Sequence, residues 1–386
     1  MRNFLTIDSV VPHHQKGISV QTIPSARQIR KELLEFAISD TRKGIQLFLV
    51  DWATYCVAIA AVLFSPWMLL KLIAGILAGA KAANLATLGH DAAHNSLTAS
   101  RKLNKAIGIA SFTPGLFNYR LWLYDHHNLH HHKTNEDHPD SFTPMSKQEF
   151  NSLPSWGKFK HRFYRLPSLW VFGIYYIVER WWKVKFFPRA SMPASIRKEG
   201  WIHTAYLLTY LLGFITLLYL APHYSDTSSL SAIFFGFIVP FYVFQSLFSF
   251  TVYVQHTHPR VAWFKTKPDR NGVGRQDVIS VQLQFPDWFS NLVHHVYDHT
   301  AHHVYPAIPC YRLAEAQFKL NQLLGSSAIS EKFSFAMLRK IQERCKLYDF
   351  ESHRWLDFEG KPTSRATLIT EVDFARSVWN RQLVAS

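Results

Sequence analysis

Four long apolar segments limit what this chain can fold into more than any other feature does. They run over residues 47–64, 67–83, 205–221 and 230–254. Each is close to the ~20 residues that carry a helix across ~30 Å of hydrocarbon at ~1.5 Å per residue. In that medium each backbone N–H and C=O must find its partner inside the segment, so helices are expected. Ser65-Pro66 alone separates the first two, which reads as a tight helical hairpin, and a polar loop joins the other two. Asp51 is the only acid within these spans, and Lys71 and Lys81 lie near the ends of the second. Both lysines are expected to snorkel their ammonium groups to the interface.

Orientation follows from the loops. Ser65-Pro66 and the stretch from Pro222 to Ser231 contain no Lys or Arg, whereas the connection from Lys81 to His203 contains seventeen. The positive-inside rule puts that connection and both termini in the cytoplasm. The division expected is a cytosolic arm over 1–44, a membrane domain over 45–310 with a cytosolic insert at about 84–204, and a cytosolic helical region over 311–386. Residues 106–124 are apolar but broken by Pro114-Gly115, which suits a dipping segment. From Ser168 to Phe187 aromatics alternate with Arg180, Lys183 and Lys185, which predicts a helix lying on the membrane surface. No secretory leader is expected, since the first forty-odd residues are polar.

The net charge of +15 falls mainly in the cytosolic parts. It suits anionic lipid and an acidic protein partner; no nucleic-acid partner is expected. Cys56, Cys310 and Cys345 are far apart and form no Cys-x-x-Cys pair, which argues against a disulfide framework, a rubredoxin-like site and an iron–sulfur cluster.

Twelve of the 21 histidines fall into three clusters: His90 and His94; His126, His127, His130, His131 and His132; and His294, His295, His299, His302 and His303. All three lie on the side assigned to the cytoplasm. His90 and His94, four apart, share one helix face. The second cluster fits two registers, with either His126 or His127 preceding His130-His131, and His132 belongs to neither. In the third, His299-x-x-His302-His303 has a further candidate in His294, five residues upstream. Neighbouring histidines on a helix point about 100° apart, so each adjacent pair can serve two metals. His13-His14 reads as an accident of the arm. Asp91 and Asp298 are candidate acceptors for ring N–H groups, and His256 and His258 are assigned outer or structural roles.

Imidazole suits iron, zinc and copper without adding charge. A zinc protease would need His-Glu-x-x-His, and Asp91 stands where that Glu belongs. A carboxylate diiron bundle needs Glu-x-x-His, which the chain lacks. A metal transporter calls for ionisable ligands at mid-membrane depth, whereas every clustered histidine lies outside the spans. A non-haem dimetal centre beside an apolar membrane is the reading left.

With His-x₃-His, His-x₂₋₃-His-His and His-x₂-His-His in order, two spans lying between the second and third, the chain resembles the membrane fatty acid desaturases. Gly89-His-Asp-Ala-Ala-His94, Thr134-Asn135, Gln255-His-Thr-His-Pro259 and His299-Thr-Ala-His-His-Val-Tyr-Pro306 are similar to the bacterial omega-6 (delta-12-like) branch. The resemblance implies an all-α membrane protein, with four transmembrane helices in two hairpins and a cytosolic helical cap carrying a histidine-rich dimetal site. It further implies two iron ions, dioxygen as co-substrate and an inner-membrane location. The substrate implied is an acyl lipid or acyl thioester, and the electron donor acts in trans, either ferredoxin or a cytochrome b5-like protein. The ligand set implied is drawn from His90, His94, His126, His127, His130, His131, His294, His299, His302 and His303. Hydroxylation, ketolation and decarboxylation to a terminal alkene use the same centre and stand as alternatives.

Overall fold

A computed structural model describes residues 24–136, 140–265 and 280–366; His13-His14 lies outside them. Helix α1 (Ala26–Leu33) is followed by α2 (Thr41–Phe64), capped by the Asp40 carboxylate, which accepts the Lys43 N–H at 3.1 Å. After Ser65-Pro66 comes α3 (Met68–Ala93), then α4 (Arg101–Phe112) and α5 (Tyr119–Asp125), which runs on as a wide π-type turn over His126–His131. Next are α6 (Lys147–Ser152), α7 (Ser155–Tyr164) and α8 (Trp170–Tyr175), the last extended as a π-helix through Tyr176–Phe186. The second pair of long helices is α9 (Ala194–Tyr219) and α10 (Ser229–His256).

Helices α2, α3, α9 and α10 are each long and apolar enough to span a bilayer, and the protein is an integral membrane protein. Their outer faces expose Leu69, Leu212 and Leu230, as contact with lipid requires. Where α3 crosses α10 the backbones nearly touch. A Cβ at Gly75 would lie 2.5 Å from the Phe235 carbonyl oxygen, and one at Gly79 only 2.6 Å from that of Pro240. Small residues permit this approach, which in lipid is the main source of helix–helix attraction.

Two expectations about basic residues are overturned. Lys71 and Lys81 do not snorkel outward: Lys81 Nζ turns in to Asp51 Oδ1 at 2.7 Å, and Lys71 bonds the Thr227 hydroxyl. A buried carboxylate and a buried hydroxyl are nearer partners than interfacial water. The segment from Ser168 to Phe187 does not simply lie on a surface, because its α8 portion packs along α10. Arg180 and Lys185 point inward, each 4% exposed, to meet Asp125.

The C-terminal cap closes the histidine-bearing end. It comprises β1 (Gln282–Gln284), α11 (Asp287–Leu292), α12 (His299–Val304), α13 (Cys310–Leu324), β2 (Ser330–Lys332), α14 (Phe335–Arg344), β3 (Leu347–Asp349) and β4 (Arg354–Leu356). Helix α13 packs its Leu313, Ala316 and Leu320 against Ile29 and Leu33 of α1 and Leu88 and Ala92 of α3. Strand β1 pairs in parallel with β2, and β3 antiparallel with β4. These short ladders, built round Trp263, Tyr348 and Trp355, accompany the mostly helical pattern expected after His303.

Candidate metal centre

Four elements converge on one point: the end of α3, the turn after α5, the last residue of α10, and α12. They bring nine imidazoles together in two groups, His90, His94, His126, His131 and His302 in one, and His130, His256, His299 and His303 in the other. Within each group one nitrogen per ring lies within 4.8 Å of all the others. In the first, His126 Nε2 is 3.0 Å from both His94 Nε2 and His131 Nε2, and His302 Nε2 is 3.2 Å from His131 Nε2. In the second, His256 Nε2 and His299 Nε2 are 3.0 Å apart. The groups adjoin, the His131 and His303 ring centres standing 4.8 Å apart.

Each adjacent pair is divided between the groups. The His130 and His131 rings are inclined at 77° and those of His302 and His303 at 83°. The π-type turn explains the second cluster. In an α-helix, residues five apart point about 140° away from each other; a turn closed by i→i+5 bonds brings them onto one face. His126 and His131 therefore serve the same group, and His130 faces the other.

Burial, with the crowding of neighbouring imidazoles, pushes His94, His126, His131, His299, His302 and His303 well below the usual histidine range. These rings are neutral at pH 7, each with a lone pair to donate, as metal binding requires. Nine imidazoles converging in two sets suit two borderline metal ions such as iron.

Of the remaining sequence candidates, His127 stays outside both groups, its ring 4.6 Å from that of His94. Burial and then His90 and His132 lower its pKa to about 4, and its buried Nε2 has no hydrogen-bond partner among the described residues. His132 turns back to the His127 carbonyl. His294 is drawn away from the centre by a buried acid, its Nε2 lying 2.5 Å from Asp51 Oδ2. His256, given an outer role from sequence, lies inside the second group, because as the last residue of α10 it meets His299 and His303 of α12. His258 faces Glu331 at 3.4 Å.

The carboxylates divide as well. His90 Nδ1 lies 3.0 Å from Asp91 Oδ1, and the other Asp91 oxygen accepts the Cys310 N–H. Asp298 instead accepts from Gln282 at 2.8 Å and meets His295 at 3.2 Å. Asp140, which no spacing rule singled out, lies 2.8 Å from His130 Nδ1. Arg180 bridges Asp140 (3.4 Å) and Asp125 (3.3 Å). Burial opposes ionisation of Asp125, but Lys185 and Arg180 outweigh it and hold its carboxyl below the usual range.

A cavity of about 440 Å³ leads from the outer faces of α3 and α10 to this centre. Ile76, Leu77, Ala80 and Ala83 line one side and Val243, Leu247 and Thr251 the other; His90, His126, His130, His299 and His302 meet it at the far end. Ile76 precedes His90 by fourteen residues, about 21 Å of helix. An apolar slot of this length, ending on two sets of imidazoles, accommodates a long hydrocarbon chain.

A membrane-embedded four-helix scaffold with a paired polyhistidine centre is thus defined. The family model for fatty acid desaturase matches residues 47–332, and the chain belongs to that family. It is 26% identical over 325 residues to an omega-6 fatty acid desaturase, chloroplastic, of Spinacia oleracea, covering 84% of this chain and 69% of the relative. It is 25% identical over 309 residues to an sn-1 oleoyl-lipid 12-desaturase of Synechocystis sp., covering 78% and 84%. An sn-1 acyl-lipid omega-3 desaturase (ferredoxin) of Synechocystis sp. is 27% identical over 247 residues, covering 63% and 65%.

Proposed function

We propose that this chain introduces a cis double bond into the oleoyl chain of a membrane glycerolipid, at the omega-6 (delta-12) position, using dioxygen and two electrons from a ferredoxin-type donor. His90, His94, His126, His131 and His302 would hold one iron, and His130, His256, His299 and His303 the other. When bound, the irons supply the oxidising chemistry that removes hydrogen from two neighbouring methylenes. The cavity carries this reading, being an aliphatic slot that ends on rings from both groups.

The protein's own residues orient and exclude. Asp91 and Asp140 accept the Nδ1–H of His90 and His130 and so leave the Nε2 lone pair of each ring free to bind a metal. Ala80 and Ala83 leave room for methylenes, and the surrounding aliphatic side chains keep bulk water from the reacting carbon. Fixing one C–H against the centre is the entropic part of catalysis, which the walls of α3 and α10 provide. The activities of the related desaturases support the substrate, bond position and donor, and the loop charges support a cytosolic centre.

The test is expression in a host whose lipids are only saturated and monounsaturated, with fatty acid methyl esters compared by mass spectrometry. The expected result is a cis,cis-diene that vanishes with His302→Ala. A hydroxy acid or a terminal alkene would replace desaturation with a sister reaction, and absence of iron from the purified protein would sink the reading.

A further inference from the structure

Helix α11 forms one wall of the cavity with Phe289 and Leu292, and Val293 continues that wall. On its outer side Trp288 is 69% and Leu292 49% exposed, and across the slot Ile76, Leu77 and Leu247 are exposed as well. Leu292, Ile76, Leu77 and Leu247 thus line the cavity and are also exposed on the outer surface. The helix is bounded by Pro286 and by two consecutive residues, His294 and His295, with φ of 54° and 53°. Left-handed backbone is uncommon at one non-glycine residue and persists at two only where the surroundings impose it.

Asp51 of α2 anchors the first of the two, and Asp298 and Asn291 meet the ring of the second. Asp51 Oδ2 lies 2.5 Å from His294 Nε2 and its Oδ1 2.7 Å from Lys81 Nζ, while Asn84 Nδ2 donates to the Leu292 carbonyl at 2.7 Å. Asp51, Lys81 and His294 are all buried. Buried ion pairs yield little net stability, yet removing one partner is strongly destabilising, so such a trio fixes a conformation rather than strengthening a core.

We propose that α11 is a side door through which an acyl chain passes between the bilayer and the cavity, and that Asp51, Lys81 and His294 are positioning residues that latch it shut. The inference rests on reading the cavity as the acyl site. Closed, the door completes the apolar wall; open, it admits a chain sideways while the rest of the lipid stays in its leaflet.

The test uses the full chain in membranes, with the exposed Cys56 replaced by Ser and with Val293→Cys on the inner wall; Cys310 and Cys345 are buried. The readout is the rate of N-ethylmaleimide labelling. His294→Leu is expected to raise it roughly tenfold, a modest fraction of what loss of a buried partner can cost. His294→Gln, which keeps a donor to Asp51, is expected to stay at the parent rate. Equal rates in all three proteins, at equal iron content, overturn the door. If His294→Leu does not fold, Lys81→Met replaces it, with the same direction expected and the same result overturning the proposal. Added oleoyl lipid slows labelling if the cavity is the acyl site; labelling that follows the latch but ignores lipid keeps the door and removes the acyl reading.

Discussion

His256 and His294 exchange the parts that spacing assigned to them, and the cause is local. Asp51 holds His294 at 2.5 Å, whereas the Nε2 of His256 faces that of His299 at 3.0 Å. Iron content of the purified protein tests the division. His256→Ala is expected to lower it from about two per chain toward one, since a structural metal site depends on each of its few ligands. His294→Ala and His127→Ala are expected to retain both irons. Full retention in His256→Ala, or loss in His127→Ala, would reverse the register. Seven of the nine grouped histidines belong to clusters whose spacing is fixed by ordinary helix geometry or adjacency: His90, His94, His130, His131, His299, His302 and His303. The choice of His126 over His127 depends on an i→i+5 turn, and the place of His256 on the depth at which α10 ends. Neither leaves a mark in the sequence.

Among the elements, the four apolar helices follow directly from hydropathy, because the bilayer forces a helix on any segment that enters it. The cap does not follow so directly. Its three-residue strands are too short for alternation to reveal, and the basic residues of α8 look surface-bound until Asp125 and Asp140 are seen beneath them. Helix α7 carries a consequence for pH. Burial, then Arg165 beside it, lowers the His161 pKa to about 3, and its buried Nε2 has no hydrogen-bond partner among the described residues. Below its unfolded value near 6.5 the unfolded chain takes up a proton that the folded ring refuses, so stability present above that pH is lost as pH falls toward 3. At pH 5 the loss is about 2 kcal/mol. His161→Leu removes this difference. Thermal midpoints of the two purified proteins at pH 7.5 and pH 5 are expected to show the smaller acid-induced fall in the variant, and an equal fall would mean that His161 is protonated in the folded state.

Across the whole molecule, the charge and the histidine centre are placed together by the chain's own order. Seventeen of its 42 basic residues lie in the connection that carries the first two clusters, while two of the inter-span connections carry none. The proposed cytosolic placement of the basic side would put the centre within reach of the proposed ferredoxin-type donor, and an excess of +15 favours an acidic one. Long-range attraction of this kind is screened within about 8 Å at physiological salt, whereas an acyl chain seated in an apolar slot is indifferent to ions. Raising sodium chloride from about 50 to about 500 mM is therefore expected to lower kcat/KM for an acidic ferredoxin about tenfold while leaving KM for oleoyl lipid unchanged. A parallel change in both constants would assign the basic surface to lipid headgroups rather than to the donor. Insensitivity of both would leave the charge as a device of orientation alone, set during insertion and idle in turnover.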